Sequence, residues 1–190
     1  MFFLCGLFST KVVLAQKSNH KKHRIKFDVA TTLVGEFMLY YEYLFHKKIS
    51  AEVDVGYVTD NYLMNFVQES INVQTRLQKM GSAFSLASRY YPFRTGDLIY
   101  CTAAVKYRRY REAYQQFSAA EELEESIEYN RRIIPRLGLG QHRFFDQYFL
   151  IDLTVNLGLS FVKEFKQMNT SPISNYFLHF GIGLKLAYAF

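Results

Sequence analysis

From Ile25 to Phe190 the chain places an apolar side chain at every second position, run after run, and polar stretches separate the runs. A period of two belongs to β-strands with two unlike faces, because successive side chains leave an extended backbone on opposite sides. The last run is the clearest. Tyr176, Leu178, Phe180, Ile182, Leu184, Leu186, Tyr188 and Phe190 share one face, and Phe177, His179, Gly181, Gly183, Lys185, Ala187 and Ala189 share the other. Residues 149–161 and 49–57 repeat the arrangement, the first opposing Asp152, Thr154 and Asn156 to Leu153, Val155 and Leu157. Residues 25–32, 37–45, 82–91, 98–110 and 132–140 follow it with more noise. The pattern predicts eight strands, the sixth pairing imperfectly or bulging at Pro135, which has no N–H to give a ladder.

The connectors carry a second signal. After the second, fourth and sixth strands they are short: 46–48, 92–97 and the neighbourhood of 142–146. After the third, fifth and seventh they are long and polar: 58–81, 111–131 and 162–174. An even number of strands with short turns at one end and long loops at the other is the build of an outer-membrane barrel. The expected fold is therefore all-β, an eight-stranded antiparallel up-and-down transmembrane β-barrel over residues 25–190. Glu121, Glu122, Glu124, Glu125 and Glu128 would then lie in a solvated, partly helical external loop, with cation binding the lesser reading.

The chemistry of the two faces decides which looks outward. Eight strands enclose room for one small ligand at most, too little for the Phe, Tyr, Leu and Ile of the apolar face. That face is expected to meet lipid. The lumen would then hold Lys26, Asp28, Glu42, Glu52, Asp54, Arg89, Lys106, Arg108, Arg132, Arg136, Asp152 and Lys185. Buried charges must pair, so a packed ionic plug is expected, with Glu52 against Arg89, Lys106 or Arg136 at its centre. Tyr43, Tyr57, Tyr90, Tyr107, Tyr148, Tyr176 and Tyr188 fall near strand ends, where aromatic girdles sit.

Composition narrows the class further. No stretch nears the roughly 20 apolar residues of a membrane-spanning helix. The net charge of +6 is spread along the chain and comes with no motif, so nucleic acid is not an expected partner. Cys5 and Cys101 supply neither a disulfide framework nor metal-ligand spacing, and no cofactor or metal is expected. Residues 1–15 read as a signal peptide ending in Val13-Leu14-Ala15, although Lys11 interrupts the apolar run. Residues 16–24 read as a short periplasmic lead-in whose His20 and His23 make a weak metal motif.

The chain ends on Phe190, preceded at alternate positions by Tyr188, Leu186, Leu184 and Ile182. That ending resembles the C-terminal signal read by the outer-membrane barrel-assembly machinery. With it, the chain as a whole resembles the small eight-stranded outer-membrane barrels of the OmpA/OmpX type. The runs LYYEYLFHKKISAEVDVGY, SRYYPF and FGIGLKLAYAF are similar to uncharacterised small barrels of Bacteroidota. The resemblance implies an outer-membrane location with lipid and lipopolysaccharide around the barrel. It supplies no catalytic residues. The expected function is non-enzymatic: envelope integrity, surface interaction, or an accessory role beside envelope protein partners. The alternatives weighed are a lipid A-modifying enzyme, a solute channel and a soluble periplasmic ligand-binding barrel. His179 would face the lumen, and His46 and His142 would sit in periplasmic turns, which leaves few candidates for a lipid-facing His and Ser.

Overall fold

The computed structural model describes residues 21–59, 76–92, 99–117, 123–166 and 173–190. It contains β1 (His23–Asp28), a helical turn α1 (Val29–Leu33), β2 (Glu36–His46), β3 (Ile49–Val58), β4 (Arg76–Tyr90), β5 (Ile99–Phe117), β6 (Leu123–Phe144), β7 (Phe149–Lys166) and β8 (Ile173–Ala189). Every neighbour pairs antiparallel, and β8 returns to β1 to close the barrel. Closure removes free sheet edges along the paired lengths. The C-terminal residue takes part: His23 N donates to Phe190 O at 3.2 Å and Phe190 N to His23 O at 2.9 Å.

The alternation becomes sidedness. Leu137, Leu157, Leu178 and Ile182 stand outward, with Leu137 69% exposed, while Lys26, Glu42, Arg89 and Asp152 are buried in the lumen. Tyr43, Tyr90, Tyr148 and Tyr188 stand exposed near the short-turn end, and Tyr57, Tyr107 and Tyr176 toward the other. Small apolar clusters flank the ionic interior, Leu150, Ala187 and Ala189 at one end and Met38, Tyr40, Val58, Ala83 and Tyr110 at the other. At the β6–β7 turn, Asp146 accepts from Tyr148 N at 2.6 Å and Phe149 N at 2.7 Å.

Element limits differ from the sequence reading in informative ways. The first strand stops at Asp28 rather than Thr32 because the Asp28 carboxylate caps the next turn, accepting from Ala30 N and Thr31 N. Gly35, at φ 76, then turns the chain into β2, a conformation costly for residues with a Cβ. The lead-in is shorter than expected, since His23 and Arg24 already belong to β1. Strands β4 to β8 run past the expected limits, through segments where charged residues interrupt the apolar face and blur the alternation. Leu123–Glu128 are strand residues of β6, not a helical loop. The glutamate side chains lie outside the described residues, as do Glu121 and Glu122. The connectors after β5 and β7 shrink to 118–122 and 167–172, while the one after β3 still spans 59–75. Residues 1–20, with the expected signal peptide and His20, also lie outside the described residues.

Two irregularities shape the wall. Pro135 pairs with Val105 on β5, but the β6–β7 ladder skips Ile134 and Pro135 with its register unchanged, an interruption without a bulge. At the seam, β1 has 6 residues and β8 has 17, and their pairing covers only Lys185–Ala189 of β8. Above it, Ile173–Leu184 have no strand on that side among the described residues, and α1 packs there instead. The Asp28 carboxylate reaches one of the freed donors, Leu184 N, at 3.4 Å.

Candidate functional site

The lumen is where the chain concentrates its chemistry, and the strand register determines which groups meet. Glu42 on β2 lies directly opposite Glu52 on β3. Like charges so placed repel. Arg24 stands opposite Glu42, and Lys185 opposite both Asp28 and Asp152.

Lys26 resolves the repulsion. Its Nζ lies 2.7 Å from Glu42 Oε2, 2.8 Å from Glu52 Oε2 and 2.9 Å from Asp152 Oδ2. An ammonium has three donors, and this one spends them on carboxylates from three strands. Arg89 spans two of the same acids, NH2 to Glu52 Oε2 and NH1 to Asp152 Oδ2, each at 2.6 Å. Lys185 adds a contact to Glu52 Oε1 at 3.0 Å, and Arg24 approaches Glu42 at 3.4 Å. Hydroxyls complete the shell: Tyr91 donates to Glu42 at 2.7 Å, Ser50 also donates to Glu42, and Tyr100 donates to Asp152. All these charged side chains are nearly inaccessible, and in a low-dielectric interior such charges persist only when paired and hydrogen-bonded.

Toward the end of the barrel opposite the short turns a second group forms. Glu36, the first residue of β2, pairs with Lys106 and lies 3.7 Å from Arg108 Nε. Arg136 NH2 reaches Ser85 Oγ at 3.5 Å, and the guanidinium carbons of Arg108 and Arg132 lie 4.6 and 5.1 Å from the centre of the Tyr110 ring.

Of the residues expected in the lumen, Lys26, Asp28, Glu42, Glu52, Asp54, Arg89, Lys106, Asp152 and Lys185 are buried there, and Arg108, Arg132 and Arg136 are partly buried. The structure brings Glu52 to Arg89 but not to Lys106 or Arg136, which belong to the second group. Ile182, Leu186, Tyr188 and Phe190, expected to form a C-terminal assembly signal, are exposed on the outer face, and Leu184 is partly so.

Sequence reasoning missed several members. Arg24 was assigned to the lead-in, and Glu36 fell between expected strands. Tyr91 and Tyr100 looked like ordinary aromatic residues of strand ends. His142 was expected in a turn, yet it is a buried β6 residue stacked near Tyr100 at 6.0 Å between ring centroids. Parity was the available signal: His142, Gly140 and Gly138 share the alternation of Arg136 and Arg132.

Gly140 shows how tightly this layer is packed. A Cβ there would overlap the phenol ring of Tyr100, the side chain that donates to Asp152. Gly140→Ala should therefore cost about 1–3 kcal/mol by overpacking, read as a lower urea midpoint with an unchanged slope.

Comparison with family models, with curated proteins and with solved structures found no match for this chain. The functional reading therefore rests on the barrel's own geometry.

Proposed function

We propose that this chain is a non-enzymatic outer-membrane protein, a transmembrane barrel of the OmpA/OmpX type with a lumen plugged by its ion-pair network. The reading rests on one observation: large apolar side chains cover the outer surface of a closed barrel whose charges are sealed inside. Soluble monomers rarely expose contiguous apolar patches beyond a few hundred Å², and a barrel that turns Leu39, Val55, Leu86, Val105, Leu137, Leu157 and Ile182 outward on successive strands from β2 to β8 needs a hydrocarbon solvent. Exposed tyrosines toward both ends suit the two membrane interfaces.

Its role in this reading is structural and interactive: envelope integrity, contacts made by the end of the barrel distal to the short turns, or an accessory place beside other envelope proteins. Lipid and lipopolysaccharide surround it, and the assembly machinery inserts it by its C-terminal strand. The absence of an activated nucleophile among the described residues favours this reading over a lipid-modifying enzyme. Ser50 donates to an ion-paired Glu42, and His142 lies among Tyr91, Tyr100 and Phe144.

Fractionation of cells making the full chain should recover it with outer membranes, and the folded protein should migrate faster on unheated than on heated denaturing gels. Recovery in the soluble periplasmic fraction would refute the membrane assignment.

A further inference from the structure

In the network around Lys26 four cations lie against three carboxylates, Glu42, Glu52 and Asp152, whereas the group around Arg136 sets four cations against far less acid. Lys106 and Arg108 on β5 and Arg132 and Arg136 on β6 share the lumen parity at this end, and among the described residues Glu36 is the only carboxylate within 4 Å of any of them. Lys106 already engages it. Arg132 and Arg136 have no acid at that distance, and buried Nε atoms of Arg108, Arg132 and Arg136 lack hydrogen-bond partners.

Neutral donors at the same end are unpartnered too. Asn130, on β6 two residues beyond Arg132, is 1% exposed and neither side-chain polar atom has a partner. Ser160 on β7 is buried with a free Oγ. In register, Ser160 falls opposite Ile134, between Arg132 and Arg136. His179 completes the ring from β8, where Arg136, Lys106, Glu36 and Arg108 are the charges it senses.

Unsatisfied donors and uncompensated positive charge cost free energy when buried, and an anion with several acceptor oxygens removes both costs together. A carboxylate has two oxygens. Three guanidinium groups with added amide and hydroxyl donors suit a group with three or four, and guanidinium forks match phosphate geometry. We propose that this end of the lumen is a phosphoryl-binding site, held by Arg108, Arg132 and Arg136 and supplemented by Asn130 and Ser160.

The site stands on lumen geometry and does not depend on the membrane assignment. Its phosphoryl group has two possible sources. Inorganic phosphate would enter along the barrel axis. A lipid headgroup would come from the side, where among the described residues no strand pairs with β8 before Lys185 and α1 packs instead, a stretch that includes His179.

The full chain, refolded in dodecyl maltoside micelles that contain no phosphate, is titrated at constant ionic strength with inorganic phosphate and separately with phosphatidic acid, binding being read by calorimetry. Arg132→Gln is the informative variant, because Arg132 has no acid partner whose loss would unfold the barrel, and its urea midpoint should equal or exceed that of the parent. Saturable binding of inorganic phosphate, weakened at least tenfold by Arg132→Gln and by Arg136→Gln but not by Lys48→Gln in an exposed turn, supports a free-ion site. The same pattern with phosphatidic acid alone supports a headgroup site. Absence of saturable binding in both arms, or binding that the two arginine variants leave unchanged, overturns the proposal, and neither result bears on the fractionation test.

Discussion

Lys26→Met is expected to be the most damaging single substitution in the lumen, lowering the stability of the folded barrel by about 3–5 kcal/mol, the usual cost of stranding buried charges by removing one partner. The side chain is nearly isosteric, so the loss comes from electrostatics. Without the ammonium, Glu42, Glu52 and Asp152 still converge on one point, now with mutual repulsion. The damage also falls on the seam. Lys26 belongs to the shortest strand and ties it across the lumen to β3 and β7, while β1 pairs with β8 over five residue pairs only. Urea titration in vesicles should show the lowered midpoint. Adding Glu52→Gln in the same chain should restore part of the loss, because it removes one of the three repelling charges. If the two substitutions simply add, the carboxylates are not coupled through Lys26.

Leu137→Arg carries the second large effect and separates membrane from water as the outer solvent. Leu137 lies midway along the outer apolar surface, 69% exposed, beside Ala103 on β5 and Leu157 on β7. Arginine at the midplane of a bilayer costs a barrel about 2–4 kcal/mol. The same change on a water-exposed surface stays within about 0.5 kcal/mol. Refolding yield and urea midpoint in lipid vesicles should both fall. An unchanged midpoint in vesicles would remove the basis for the membrane reading.

The alternation of residues 149–161 and 176–190 reports strand, face and direction because side chains on an extended backbone have a fixed period of two. It failed where charged residues interrupted the outward face. Residues 111–117 of β5 and 123–131 of β6 read as loop although they continue the wall, since backbone pairing with a neighbouring strand needs no apolar face. His142 was lost because the short connector after the sixth strand was placed over residues 142–146, whereas β6 runs on to Phe144 with His142 at the lumen parity of Gly140.

The amino-acid sequence by itself determined the strand count, the two faces and the inward direction of the ionisable groups. Those properties follow from local periodicity and from the volume that eight strands can enclose. Only the tertiary structure decided that Lys26 serves three carboxylates, that Arg89 rather than Lys106 or Arg136 meets Glu52, and that among the described residues no acid lies within 4 Å of Arg132 or Arg136. Lumen partners come from strands far apart in the chain, and their meeting depends on the register and closure of the whole barrel. A residue's neighbours two positions away carry no record of either.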